Sequence, residues 1–321
     1  MSAYTDQDPF DAALVSVCAL PYQSGIARFS PDGKFLALGG DDGSVIVTDV
    51  RLVRDQGAVD LTASRVYTDH SKPVNDVDFH PRSPVLVSAS QDCSMRFFDW
   101  ATNTPRATRQ CTDTHPVNAV SFHPAGDHLL AATDHHAIHL YDASTFRCYL
   151  SSQAMDHHTA GVVDARWARD GVVYVSCGGD TIKMWDGVAN RCVRTMTAAH
   201  LGAPVSTVCF GGADKVILSC GGDSNVRLWD VGSGKLIRSF EGAQQTSRTA
   251  CCFSCDEELV LSSDERSGEV VAWDTASGKA RRRYAAHSKP VRWLTASMME
   301  PTVVSCGQDG FVQVWASPAL L

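Results

Sequence analysis

A histidine, a serine and an aspartate recur together in this chain: His200, Ser219 and Asp223; His287, Ser305 and Asp309; His70, Ser88 and Asp92. These are the parts of a nucleophilic hydrolase, in which an imidazole takes the seryl proton and a carboxylate orients the ring. Their repetition argues against that chemistry. A nucleophile is needed once, yet the serine returns as Ser88, Ser176, Ser219 and Ser305, each inside an apolar run that reads as a buried strand. The sequence holds no Gly-x-Ser-x-Gly elbow, phosphate-binding loop or His-Glu-x-x-His motif. The structural reading fits better: Trp donates to Ser, Ser to His and His to Asp, so each buried polar group has a partner. Trp229 completes the first set and Trp315 the second, whereas Phe98 brings no donor to the third. No catalytic residue and no cofactor is expected.

Asp134, His135, His136 and His139 form a second grouping. Imidazoles and carboxylates are zinc ligands. If this hairpin is extended, neighbouring side chains point to opposite faces, so His135 and His136 cannot easily share an ion, whereas Asp134, His136 and His139 could. A turn that has lost its standard aspartate explains the same letters without a metal, and none is expected. The twelve cysteines also fall in phase. Cys177, Cys220 and Cys306 each stand in Ser-Cys-Gly, and Cys148 and Cys192 each fall six residues after an aspartate that closes a strand. They read as small buried hydrophobes of a reducing compartment. Cys251, Cys252 and Cys255 share one strand and its turn.

The elements that must position these residues follow from a repeat. Residues 216–230 read as a strand, a tight turn at Gly222-Asp223 and a second strand closing on Trp229-Asp230. Phe98-Asp99, Tyr141-Asp142, Trp185-Asp186 and Trp273-Asp274 close in the same way, with Thr48-Asp49 and Trp315-Ala316 as degenerate copies at the two ends. The closing positions 48, 98, 141, 185, 229, 273 and 315 lie 50, 43, 44, 44, 44 and 42 residues apart. That period with a Trp-Asp ending is the mark of WD repeats, each a four-stranded propeller blade. The fold expected is all-β: a seven-bladed WD-repeat β-propeller spanning residues 13–321 after a leader of residues 1–12. The chain ends soon after Trp315, so residues 13–20 are expected to supply the last blade's outer strand and close the ring.

Composition narrows the function. A net charge of −8 argues against non-specific nucleic-acid binding as the main role. The acidic start, with Asp6, Asp8 and Asp11, is no secretory signal, and no apolar run approaches membrane-spanning length. The run Lys279–Arg283 resembles a nuclear-import signal but falls where an outer blade strand belongs. Partner contacts on propellers use the loops entering the first strand and the turn before the third. That places Lys72, Asn75, Asn118, Ser206, Thr249 and Arg292 on one rim, with Gln91 and Gln308 before the turn aspartates. The rim is mostly neutral and hydrogen-bonding, which suits a peptide better than a phosphate backbone.

Beyond the generic repeat, His70–Pro81, Phe122-His123-Pro124-Ala125-Gly126-Asp127, Cys148-Tyr149-Leu150-Ser151-Ser152, Asn190-Arg191-Cys192-Val193-Arg194 and Asp256-Glu257-Glu258 resemble the WD-repeat subunit of cleavage stimulation factor. The resemblance covers roughly residues 67 to 315. It implies a nuclear, non-enzymatic part of the pre-mRNA cleavage and polyadenylation machinery whose propeller binds a helical-repeat scaffold subunit, RNA contact being indirect. That family also carries an N-terminal homodimerisation region, for which residues 1–12 leave no room, so a monomer is expected. The competing function is a substrate receptor or scaffold of a cullin-type ubiquitin ligase. Its Trp-Asp-x-Arg signature is missing at Trp185-Asp186-Gly187-Val188, Trp229-Asp230-Val231-Gly232 and Trp273-Asp274-Thr275-Ala276.

Overall fold

The computed structural model describes residues 13–19, 24–51, 64–102, 104–245 and 249–316. The expected leader, residues 1–12, lies outside them. Seven four-stranded antiparallel sheets follow one another in chain order. Blade 5 shows the pattern: Val205–Gly211, Val216–Gly221, Val226–Asp230 and Leu236–Phe240 pair in sequence, each with its neighbour. In blade 7 the fourth place is taken by Ala13–Ala19, which pairs antiparallel with Phe311–Ala316. The ring is therefore closed by backbone hydrogen bonds between its two ends.

The first strands of successive blades touch around the whole circle, blade 7 to blade 1 included. They form the inner wall. The second and third strands carry the apolar letters, and these interleave between blades. Ile217 and Trp229 of blade 5, for example, pack with Val175, Ile182 and Met184 of blade 4. A single blade could not bury both faces, so the stack is the unit of stability. The fourth strands are the least buried; Ala280–Ala285 is almost wholly exposed. Its Arg281 pairs with Asp274, and its Arg283 with Asp264 and Glu269. Arg281 and Arg283 of the basic run are thus met by carboxylates of their own blade.

Two features set the upper rim, the face holding the second-to-third-strand hairpins. Six first strands carry a register shift at their second residue, at Gly25, Asn75, Asn118, Val163, Ser206 and Arg292. A bulge re-aims the side chain it carries. Hairpin glycines also dock onto the following blade. Gly43 (φ 85°) and Gly268 (φ 69°) lie so close to the carbonyl oxygens of His70 and His287 that a Cβ would stand 2.5 and 2.4 Å from them.

Candidate functional site

The polar sets inside the blades decide what is left to act outside. In blade 5, His200 Nδ1 lies 2.7 Å from Asp223 and Nε2 2.9 Å from Ser219 Oγ, which also accepts the Trp229 indole N–H at 2.9 Å. Blade 7 repeats this with His287 to Asp309 at 3.0 Å, His287 to Ser305 at 2.9 Å and Trp315 to Ser305 at 3.1 Å. In blade 2, His70 reaches Asp92 at 2.9 Å and Ser88 at 2.6 Å, and Phe98 fills the tryptophan's place without a donor. Ser88, Ser176, Ser219 and Ser305 are all 0 % exposed. No substrate carbonyl can reach such an oxygen, and each is already held by its histidine.

Burial disfavours the imidazolium, and the carboxylate opposes it only in part, so His70, His200 and His287 titrate below their ordinary value. Burial alone would raise Asp92, Asp223 and Asp309. Hydrogen bonds and the facing imidazoles outweigh it and hold all three below the usual carboxylate range.

Blade 1 has no histidine and closes on Thr48, which accepts from Ser64 at 3.0 Å, and three further blades depart from the pattern. In blade 4 the turn is one residue shorter, and His158 Nδ1 meets Thr181 Oγ1 at 2.9 Å rather than Asp180. Its Nε2 keeps Ser176 at 2.7 Å, and Trp185 donates to the same oxygen at 2.8 Å. Burial without a carboxylate, beside Lys183, pushes His158 down to about 3. In blade 6 the histidine is replaced by Gln245, which donates to Ser262 and to the Ser263 carbonyl, while Trp273 donates to the Glu241 carbonyl. In blade 3, Asp113 accepts from His139 at 2.6 Å and from Tyr141 at 2.8 Å.

That last bond corrects the reading of the histidine hairpin. His139 is committed to Asp113, and Asp134 accepts from Asn118 at 2.8 Å. His135 and His136 stand in a bend rather than a strand, so they do not point apart; their ring centroids are 4.1 Å apart. His115 and His157 join them at 5.3 and 5.1 Å. Among the described residues no three histidine, cysteine, aspartate or glutamate side chains are placed to hold a metal ion.

The cysteine reading also needs correction. Cys177, Cys220 and Cys306 are buried, but Cys148 is exposed and Cys192 half-buried, because the outer strand that carries them faces solvent. Cys220 and Cys251, on adjacent blades, meet through Thr207, at 3.0 and 3.7 Å from its hydroxyl. A one-dimensional phase places these thiols in separate blades but does not show that they share a seam.

The predicted rim separates into two groups. Gln91, Asn75, Arg292 and Gln308 line one cavity of about 500 Å³ over blades 7, 1 and 2, with Lys72 next to its Pro73 wall. Asn118 lies outside it, giving its amide to Asp134 and to the Val162 carbonyl of the next blade. Asn75 makes the equivalent bridge to the Val117 carbonyl at 2.8 Å, so its amide nitrogen serves the seam. Ser206 and Thr249 are buried, at 8 % and 0 % exposed, and present no rim surface. Register fixes their height in the sheet, but not whether the neighbouring blade covers them.

A charged network in the inner wall escaped the sequence reading. Asp76 of blade 2 accepts from Arg166 of blade 4 at 2.7 Å and from the Val120 N–H of the blade between at 3.0 Å, with Arg28 of blade 1 at 3.5 Å. Arg166 also pairs with Asp164 at 3.0 Å and donates to the Val120 carbonyl. Asp78 accepts the Phe122 N–H at 2.7 Å, and its burial pushes it up to about 6. Alternate charged residues on an inner strand were the signal available in the letters. Their partners lie up to 90 residues away.

Comparison with known proteins agrees with this architecture. A family profile described as "Nucleolar protein 10-like, N-terminal domain" matches residues 9–186, and "WD domain, G-beta repeat" matches residues 190–230 and 278–316. "Cleavage stimulation factor subunit 50" of Arabidopsis thaliana is 39% identical over 201 residues, 61% of this chain and 47% of that protein. "Target of rapamycin complex subunit wat1" of Schizosaccharomyces pombe is 38% identical over 76 residues, 24% of this chain and 21% of that protein. The alignments thus span about half or less of these relatives' lengths. With one profile covering more than half of the sequence and repeats of the same kind in the remainder, the chain belongs to the WD-repeat β-propellers of the Nucleolar protein 10-like, N-terminal domain family.

Proposed function

We propose that this chain is a non-catalytic, nuclear protein-interaction subunit of the mRNA cleavage and polyadenylation machinery. It docks a helical-repeat scaffold subunit through its upper rim, with RNA contact indirect. The observation that carries this reading is the 39% identity over 201 residues to a cleavage stimulation factor subunit. The geometry supports a binding role. The serines of the His–Ser sets are sealed inside blades, and the loops are held on a closed ring, so little is ordered on binding. The ring closes within one chain, and we take the protein to be monomeric, with a light-scattering mass near 34.6 kDa expected.

Co-purification of the tagged chain from nuclear extract is the test. Polyadenylation factors are expected, and Arg292→Glu should weaken their recovery if the rim is the contact. Recovery of cullin adaptors without any polyadenylation factor would replace this function with that of a ubiquitin-ligase receptor.

A further inference from the structure

The loops flanking blade 1 are copies of each other. Blade 2 enters its first strand through His70-Ser71-Lys72-Pro73-Val74, and blade 7 through His287-Ser288-Lys289-Pro290-Val291. Each is clamped in the same way: Asp92 accepts the Ser71 N–H and Asp309 the Ser288 N–H, while Gln91 and Gln308 donate backbone N–H groups to the Pro73 and Pro290 carbonyls. The lysines of the two loops, and the turn glutamines bonded to those loops, therefore stand on either side of blade 1. The lysines are exposed. Between them, blade 1 carries Gly25 at the bulge position that holds a side chain in the other blades that share it. A Cβ there would meet only Asp41, at 3.5 Å. The missing side chain leaves the cavity of about 500 Å³, floored by Pro73, Val74 and Trp293.

One cation faces into it. Arg292 pairs with Asp41 at 2.6 Å, both side chains about a third exposed (35 % and 34 %). Both also line the cavity, so the pair sits where an incoming carboxylate would bind. A guanidinium favours a planar carboxylate partner, and an exposed pair of this kind is held weakly enough to exchange. Amide side chains at Gln91 and Gln308 can both donate to and accept from a peptide backbone. The cavity wall of Pro73, Val74 and Trp293 and the single guanidinium suit one carboxylate beside an apolar side chain better than the evenly spaced phosphates of a nucleic-acid backbone.

We propose that this cavity is a docking site for an acidic peptide segment of a protein partner. One Asp or Glu side chain displaces Asp41 from Arg292, Lys72 and Lys289 attract the segment's remaining charge, and a neighbouring apolar side chain rests against Pro73. The site deepens the assignment of the rim as the docking face, but it does not depend on which assembly supplies the peptide.

The test is selection of random linear peptides displayed on phage against the whole chain, followed by fluorescence anisotropy with the most enriched peptide. Enrichment of Asp and Glu is expected. Arg292→Glu should weaken binding by about ten- to a hundredfold, the worth of a charge-assisted hydrogen bond. Asp41→Asn should strengthen it severalfold, and Gly25→Leu should abolish it by filling the cavity, thermal melts establishing that each variant is folded. Selected peptides without acidic enrichment, or equal affinity for the Arg292→Glu and Asp41→Asn variants, would overturn the proposal. So would full displacement by an uncharged-peptide competitor, or by single-stranded RNA with the Arg292→Glu affinity unchanged. Failure to co-purify polyadenylation factors, by contrast, would remove the assembly assignment and leave this site standing.

Discussion

At the scale of single residues, a letter that recurs from blade to blade need not keep its partner. Asp223 does more than orient His200. It also takes Arg227 at 2.7 Å and the Asn225 N–H. Asp223→Ala would strand a fully buried imidazole and a nearly buried guanidinium together. A cost of about 3–5 kcal/mol is expected, as for breaking a buried ion pair by one partner. Asp180 occupies the matching place in the letters of blade 4, but His158 is satisfied by Thr181, whose hydroxyl donates to the Gly178 carbonyl at 2.9 Å. Asp180→Ala should therefore lie within about 0.5 kcal/mol of wild type. Urea unfolding of the two variants measures the gap, and equal midpoints would contradict this account.

At the scale of the element, the hairpin turns bind blade to blade. Gly43 and Gly310 have nearly the same backbone conformation, φ 85° and 81°. A side chain at either is strained, at about 1–2 kcal/mol for leaving the right-handed region. Only at Gly43 would the new Cβ also meet backbone, the His70 carbonyl at 2.5 Å, whereas nothing lies within 4 Å at Gly310. Gly43→Ala is expected to lower the melting temperature clearly more than Gly310→Ala, because the next blade must shift to accommodate it. Differential scanning calorimetry of the pair reads this, and a larger loss at Gly310 would refute the turn's role as a clamp. The inner strands bridge blades in another way: one carboxylate, Asp76, ties blades 1, 2, 3 and 4 through Arg28, Val120 and Arg166.

At the scale of the whole molecule, the buried sets add up to an acid sensitivity. His70, His158, His200 and His287 all hold their proton less readily when folded than the ordinary imidazole, near pH 6.5. Their contribution is complete above that value and is lost as pH falls, for His158 down to about 3. Asp92, Asp113, Asp223 and Asp309 are held below the ordinary carboxylate value, so theirs is lost as pH falls through and below that value. Asp78 has the opposite sign: burial raises it to about 6, and its contribution disappears as pH rises through that value. Above the carboxylate range four histidines oppose Asp78, and below it the four aspartates join them, so the melting temperature should fall from pH 6.5 downward and most steeply below the carboxylate range. His158→Gln keeps a hydrogen-bonding side chain without a titrating ring, and its melting temperature should decline less than wild type between pH 6.5 and 4. Parallel declines would remove His158 from the account.

The seven blades, their order, the closure by residues 13–19 and the sets at His200 and His287 were legible in the letters. Each rests on short-range regularity: an alternation within a strand, a turn at a fixed offset, a period near 44 residues. Such patterns fix register, and register fixes which residues of one blade face each other. What the chain's spacing does not encode is how an irregular turn is completed within a blade and how one blade meets the next. Thr181 takes the place of Asp180 in a turn one residue shorter, and His139 is claimed by Asp113 across 26 residues. Ser206 and Thr249 share a row with Arg292 but are covered, while Arg292 opens onto a cavity that exists because Gly25, 267 positions earlier in the chain, has no side chain. The sequence alone determined the repeat, because each strand and turn is a local solution to burying its own polar backbone. The tertiary structure decided the rim, the inner charge network and the cavity, because these are made between repeats, where only the stacking of blades brings the atoms within reach.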